Sequence, residues 1–141
     1  MAHSLKMITA LGTPLTAEED LHSAGLEAQI QDQLTHGING FLIAGTMGLM
    51  QLLKDSTYRE LVEQSVQFNA GKAELLVGVG DTSFVRTRER IRMVEDCAID
   101  GVVVISPYFL KYSQSDLVDY FEALADLSSK PLFLFDLPQT T

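Results

Sequence analysis

An α/β fold built from repeated strand–helix units is what this sequence of 141 residues predicts. Three observations carry the prediction. Short apolar runs at 7–11, 41–44, 75–79, 102–105 and 132–135 are continuous rather than alternating and are bounded by Gly, Pro, Asp or Ser. That is the pattern of parallel strands covered on both faces. Between the runs, apolar residues recur at helical spacing. Strand starts repeat at about 30 residues, the length of one βα unit.

The elements follow in order. After the run at 7–11, Thr16 with Glu19 matches a capping box and predicts the start of a first helix, whose apolar stripe is Leu26, Ile30 and Leu34. The chain turns at Asn39-Gly40 into the second run. Asp55 or Ser56 opens a second helix with the stripe Tyr58, Leu61, Val62 and Val66. The third stripe is Ile91, Val94 and Ala98. Ser113 with Asp116 forms another capping box ahead of Leu117, Phe121 and Leu124. The segment GINGFLI at 37–43 is echoed by AIDGVVV at 98–104, so two units share one helix-to-strand turn. No linker or shift of composition divides residues 1–141, which are read as one domain. Two arrangements fit this order: an open doubly wound sheet, or part of a β/α barrel, which takes roughly 250 residues when complete. The open sheet calls for a helix after the last run, and only 136–141 remain.

Composition excludes several classes. Net charge is −9, with 46% hydrophobic and 21% charged residues, which disfavours nucleic acid and anionic membrane surfaces as partners. Arg86, Arg88, Arg90 and Arg92 alternate, but Glu89, Glu95 and Asp96 accompany them, and the row is read as a solvated helix face. No apolar run approaches the roughly 18 residues of a membrane span, and MAHSLKMITA has no long apolar core, so a cytoplasmic protein is expected. Cys97 is alone and reads as a small buried residue. His3, His22 and His36 lack metal-ligand spacing. Asp81 and Asp136 both follow strands, where an aspartate serves as a base, a metal ligand or a helix cap.

In either arrangement, chemistry belongs at the C-terminal ends of the strands. The second run stops at Gly45-Thr46-Met47-Gly48. Two glycines permit a sharp turn, and the amides of 46–48 then face the strand-end mouth, where they suit a carboxylate or phosphate. Thr46 adds a hydroxyl.

TPLT near the start, GFLIAGTMG at the second strand, GVGD at the third, SPYFLKYSQSDL at the fourth and LFLFDLPQTT at the fifth occur in one order. This succession resembles the family of dihydrodipicolinate synthase and N-acetylneuraminate lyase, class I aldolases of the pyruvate type built on a (β/α)8 TIM barrel. The resemblance covers essentially the whole chain and the first five strands of that barrel. It implies a 2-oxo acid or keto-sugar acid as substrate, a lysine imine and no cofactor. It further implies that Gly45, Thr46, Met47 and Gly48 hold the substrate carboxylate, with Tyr108 beside them and Thr46 also in a proton relay. The family's turn reads G-T-T-G-E, so Met47 replaces a second threonine and Leu49 a glutamate. Its P-Y-Y places Phe109 where the relay has a tyrosine, and its Y-N-x-P places Phe135 where the general acid/base stands. A phenyl ring moves no proton. The arginine that follows the family's proline in the synthases falls at Thr140, which argues against dihydrodipicolinate synthesis.

The imine-forming lysine of the family lies on the sixth strand, beyond this sequence. Lys6, Lys54, Lys72, Lys111 and Lys130 sit in loops or at helix ends and read as solvated, unlike a nucleophile whose pKa is lowered by burial. Three functions are thus carried forward: a lyase completed by further barrel strands or acting as a homo-oligomer, a non-catalytic barrel relative that binds a small carboxylate, and an open α/β domain.

Overall fold

The computed structural model describes residues 6–137. The order is β1 (Ile8–Ala10), α1 (Ser23–Thr35), β2 (Gly40–Ile43), α2 (Asp55–Asn69), β3 (Glu74–Gly78), α3 (Phe84–Val94), β4 (Gly101–Ile105), α4 (Gln114–Leu127) and β5 (Leu132–Phe135). Each strand lies where an apolar run predicts it. β2, β3 and β4 begin one residue before the run, because ladder pairing starts at the backbone of Gly40, Glu74 and Gly101 whatever their side chains.

Strand order separates the two arrangements. The sheet is fully parallel and runs β1-β2-β3-β4-β5. A doubly wound sheet reverses direction at a switch point; this one never does. Right-handed crossovers that all step the same way place every helix on one face. This is the strand order of a β/α barrel rather than of an open doubly wound sheet. Phe41, Ile43, Leu75, Val77, Val102 and Val104 are all buried, and their alternation along the strands marks the helix-covered face. The outer strands are less covered: Ile8 is 45% exposed and Leu134 63%.

One helix start departs from expectation, and α2, which Asp55 opens as expected, lacks a side-chain cap. α1 begins at Ser23, and its N-cap is His22, whose Nδ1 accepts from the Gly25 amide at 2.9 Å. Thr16 does not cap it. The Thr16 hydroxyl instead accepts from the amides of Glu18 and Asp20, and an antiparallel bridge joins Leu15 to Leu21, so 16–20 close a local loop before the helix. α2 follows Lys54, which makes no side-chain cap; Asp55 in its first turn offers charge to the helix dipole instead. The predicted box at α4 is present, with Ser113 Oγ accepting from Asp116 N and the Asp116 carboxylate accepting from Ser113 N. Ala98 lies past the end of α3, whose buried residues are Thr87, Arg90, Ile91 and Val94.

Candidate anion-binding site at the strand ends

The turn after β2 achieves its shape differently from the sequence expectation. Neither Gly45 nor Gly48 is in the left-handed region; that conformation falls on Ala44 (φ 48°) and Leu49 (φ 59°), which flank them. Gly48 is needed for closeness instead. A Cβ there would stand 3.0 Å from Ala44 N and Cα and 3.1 Å from Leu11 O. The Thr13 hydroxyl donates to Gly48 O at 2.6 Å, tying the turn to the segment after β1. Leu49 N donates to Thr46 O, and Met50 N to Gly45 O. Among the described residues, the amides of Thr46, Met47 and Gly48 donate to no protein group. These three consecutive amides stand beside a half-buried Thr46. Met47 is 66% exposed and carries no side-chain hydrogen-bond donor.

The end of β3 carries an ion cluster that the sequence reading missed. Asp81 is buried and accepts from Arg86 Nε at 2.9 Å and Arg90 Nε at 3.2 Å. It neither caps α3, a role taken by Ser83, nor joins a metal cluster, since no group of three His, Cys, Asp or Glu side chains is so placed among the described residues. Burial raises its carboxyl pKa, but Arg86, the Thr82 amide and Arg90 outweigh that and hold it below the usual range. The arginine row is therefore not a uniformly solvated face. Arg90 is 4% exposed and lies 4.5 Å from the centre of the Tyr58 ring. The available signal was spacing: Arg86 and Arg90 are four apart on one helix face, the first five residues beyond an aspartate.

After β4, Tyr108 is half-buried. Burial and the nearby charge of Asp81 hold its phenol above the ordinary value, so it stays protonated. Phe109 adopts φ 89° and is 91% exposed. Phe135 lines an open groove of about 750 Å³ between the β4 and β5 ends and α4, with Ser106, Leu117 and Phe121. Phe109 is absent from that lining, and so are residues 45–48. The structure thus does not bring Phe109 and Phe135 into one groove. Pro138 and Thr140 lie outside the described residues.

Lys6 and Lys54 are engaged at the surface, with Glu74 at 2.5 Å and Asp20 at 2.8 Å. Lys72 and Lys111 are exposed and Lys130 is partly covered. Cys97 is buried beside Asp96 and Arg59, and burial raises its thiol pKa, as a structural cysteine requires. No helix among the described residues is long and apolar enough to cross a membrane.

A one-directional parallel sheet with unbonded amides at a strand end defines a β/α-barrel protein whose candidate site lies at the C-terminal ends of its strands. Within that class, the chain belongs to the Dihydrodipicolinate synthetase family, whose model matches residues 3–141. It is 31% identical over 133 residues to a 4-hydroxy-tetrahydrodipicolinate synthase of Exiguobacterium sibiricum, covering 94% of this chain and 45% of the relative. Among solved structures it resembles YagE, a prophage protein of the dihydrodipicolinic acid synthase family from E. coli in complex with pyruvate. That match has a TM-score of 0.91 at 29% identity and covers 96% of this chain and 46% of the other. N-acetylneuraminate lyase of Mycoplasma synoviae shares the fold, with a TM-score of 0.84 at 24% identity over 96% and 47% of the two chains. The chain spans about half the length of the curated relatives it matches.

Proposed function

We propose that this chain is the carboxylate-binding half of an aldolase-type carbon–carbon lyase acting on a 2-oxo acid or keto-sugar acid. The observation that carries the reading is the turn at 46–48: three free amides beside a hydroxyl, at the strand end where barrel chemistry sits. A carboxylate accepting several backbone N–H bonds is held strongly and in one orientation. The pyruvate complex of YagE, a family member, supports a small 2-oxo acid as ligand. The imine-forming lysine is supplied by barrel strands beyond this sequence. Thr140, where the family's synthases place an arginine, argues against dihydrodipicolinate synthesis itself, although relatives carry that name. Phe109, 91% exposed with a left-handed backbone, is posed to meet another surface, which favours a homo-oligomer.

A second reading is a barrel relative that binds a carboxylate without catalysis. It is favoured by the phenyl rings of Phe109 and Phe135, which occupy two positions where the family's proton relay has phenols. One experiment separates the readings. The intact natural protein is incubated with pyruvate and borohydride, and its mass is measured. A pyruvyl increment supports the lyase. Pyruvate binding without an increment supports the non-catalytic relative, and absence of both removes the carboxylate site. Thr46→Val is expected to weaken pyruvate binding about tenfold, the effect of one lost hydrogen bond to a charged group.

A further inference from the structure

The β2–β3 ladder ends at the pair of Ile43 and Val77. Along β3, Glu74 N–H donates to Asn39 O on the β2 side, while Leu75 O and Val79 N–H bond Asp100 and Val103 on the β4 side. Alternation therefore turns the Gly78 carbonyl toward β2, at the level where Ala44 leaves the strand by its left-handed turn. Among the described residues, the ladder gives it no partner. The Tyr58 hydroxyl of α2 donates to that carbonyl at 2.9 Å instead. Gly78 is pressed against the turn: a Cβ there would stand 2.1 Å from Ala44 O and 3.1 Å from Gly45 Cα. Tyr58 is itself fixed from the other side by Arg90, stacked on its ring, which is in turn held by Asp81. All three side chains are buried.

We propose that Tyr58 is a positioning residue for the anion-binding turn, replacing the missing ladder hydrogen bond at Gly78 so that β2 can part from β3 and present the amides of 46–48. Asp81 and Arg90 hold Tyr58 in place. The proposal rests on the carboxylate reading of that turn. Burial raises the phenol's pKa well above its ordinary value, so it remains a donor at every working pH.

The test uses Tyr58→Phe in the intact natural protein, which keeps the ring under Arg90 and removes only the hydroxyl. Tyr120→Phe is the control, since its hydroxyl pairs with Thr87 Oγ1 at 2.9 Å rather than with the Gly78 carbonyl. In ligand-free protein, the amide resonances of Thr46, Met47 and Gly48 are expected to shift in Tyr58→Phe and stay in place in Tyr120→Phe. The dissociation constant for pyruvate should rise about tenfold in Tyr58→Phe alone. The rate of borohydride trapping at saturating pyruvate should not change. Unmoved resonances, or equal effects of the two variants, overturn the proposal. Where the unaltered protein binds no pyruvate, the carboxylate reading falls, and the ligand-free resonances alone decide the role of Tyr58.

Discussion

At the scale of single residues, the sharpest energetic feature is the burial of Asp81 with Arg90. Replacing Asp81 with Asn leaves a buried guanidinium without its counter-charge and is expected to cost about 3–5 kcal/mol, read as a fall in Tm. The pH dependence has a definite sign. A carboxyl held below its ordinary value stabilises the fold at pH above about 4, and that stability is lost as pH falls through the lower folded value. Thermal scans from pH 6 to pH 2 should therefore show a steeper loss in the natural protein than in Asp81→Asn. Ala44 and Leu49 hold conformations that cost non-glycine residues about 1 kcal/mol each, which fix the turn between them. Ala44→Gly should leave Tm unchanged or higher while weakening carboxylate binding, because the freed backbone spends less time in the binding shape. These residue-level details were the least legible in the sequence. The motif marked Gly45, Thr46 and Gly48 as the turn, but which residue turns and which is crowded depends on Leu11 O and Ala44, contacts that no local pattern encodes.

At the scale of elements, legibility follows the range of the interactions involved. The α4 box depends on Ser113 and Asp116 alone, three residues apart, and it was readable. Ser113→Ala should cost about 1 kcal/mol, measured by denaturant midpoint at unchanged slope. The supposed box of Thr16 and Glu19 has the same local chemistry, yet it lost to a loop. Lys54, from beyond β2, donates to Glu18 O at 2.6 Å and Asp20 Oδ1 at 2.8 Å and holds those residues out of a helix. The strands were legible because continuous apolar runs need cover on both faces. Arg90 was not, because a buried charge is visible only through its partners, and Tyr58 and Asp81 come from α2 and the β3 loop.

At the scale of the whole molecule, the unclosed edges make a prediction of their own. Among the described residues, β1 and β5 each present one unpaired side, and β5 adds Phe133 (42% exposed) and Leu134 (63%) beside it. The isolated 141-residue chain is expected to self-associate at micromolar concentration in sedimentation velocity, and Leu134→Lys to reduce that association. A sharp monomer boundary at all concentrations would contradict it. The strand order also bears on how the molecule comes into being. Each strand pairs with the one synthesised just before it, so the sheet can lengthen by one strand for every βα unit that leaves the ribosome, with no need to wait for a distant partner. One sticky edge stays at β1; the other always belongs to the newest strand. During synthesis it migrates along the chain, and it is covered each time by the next unit to arrive.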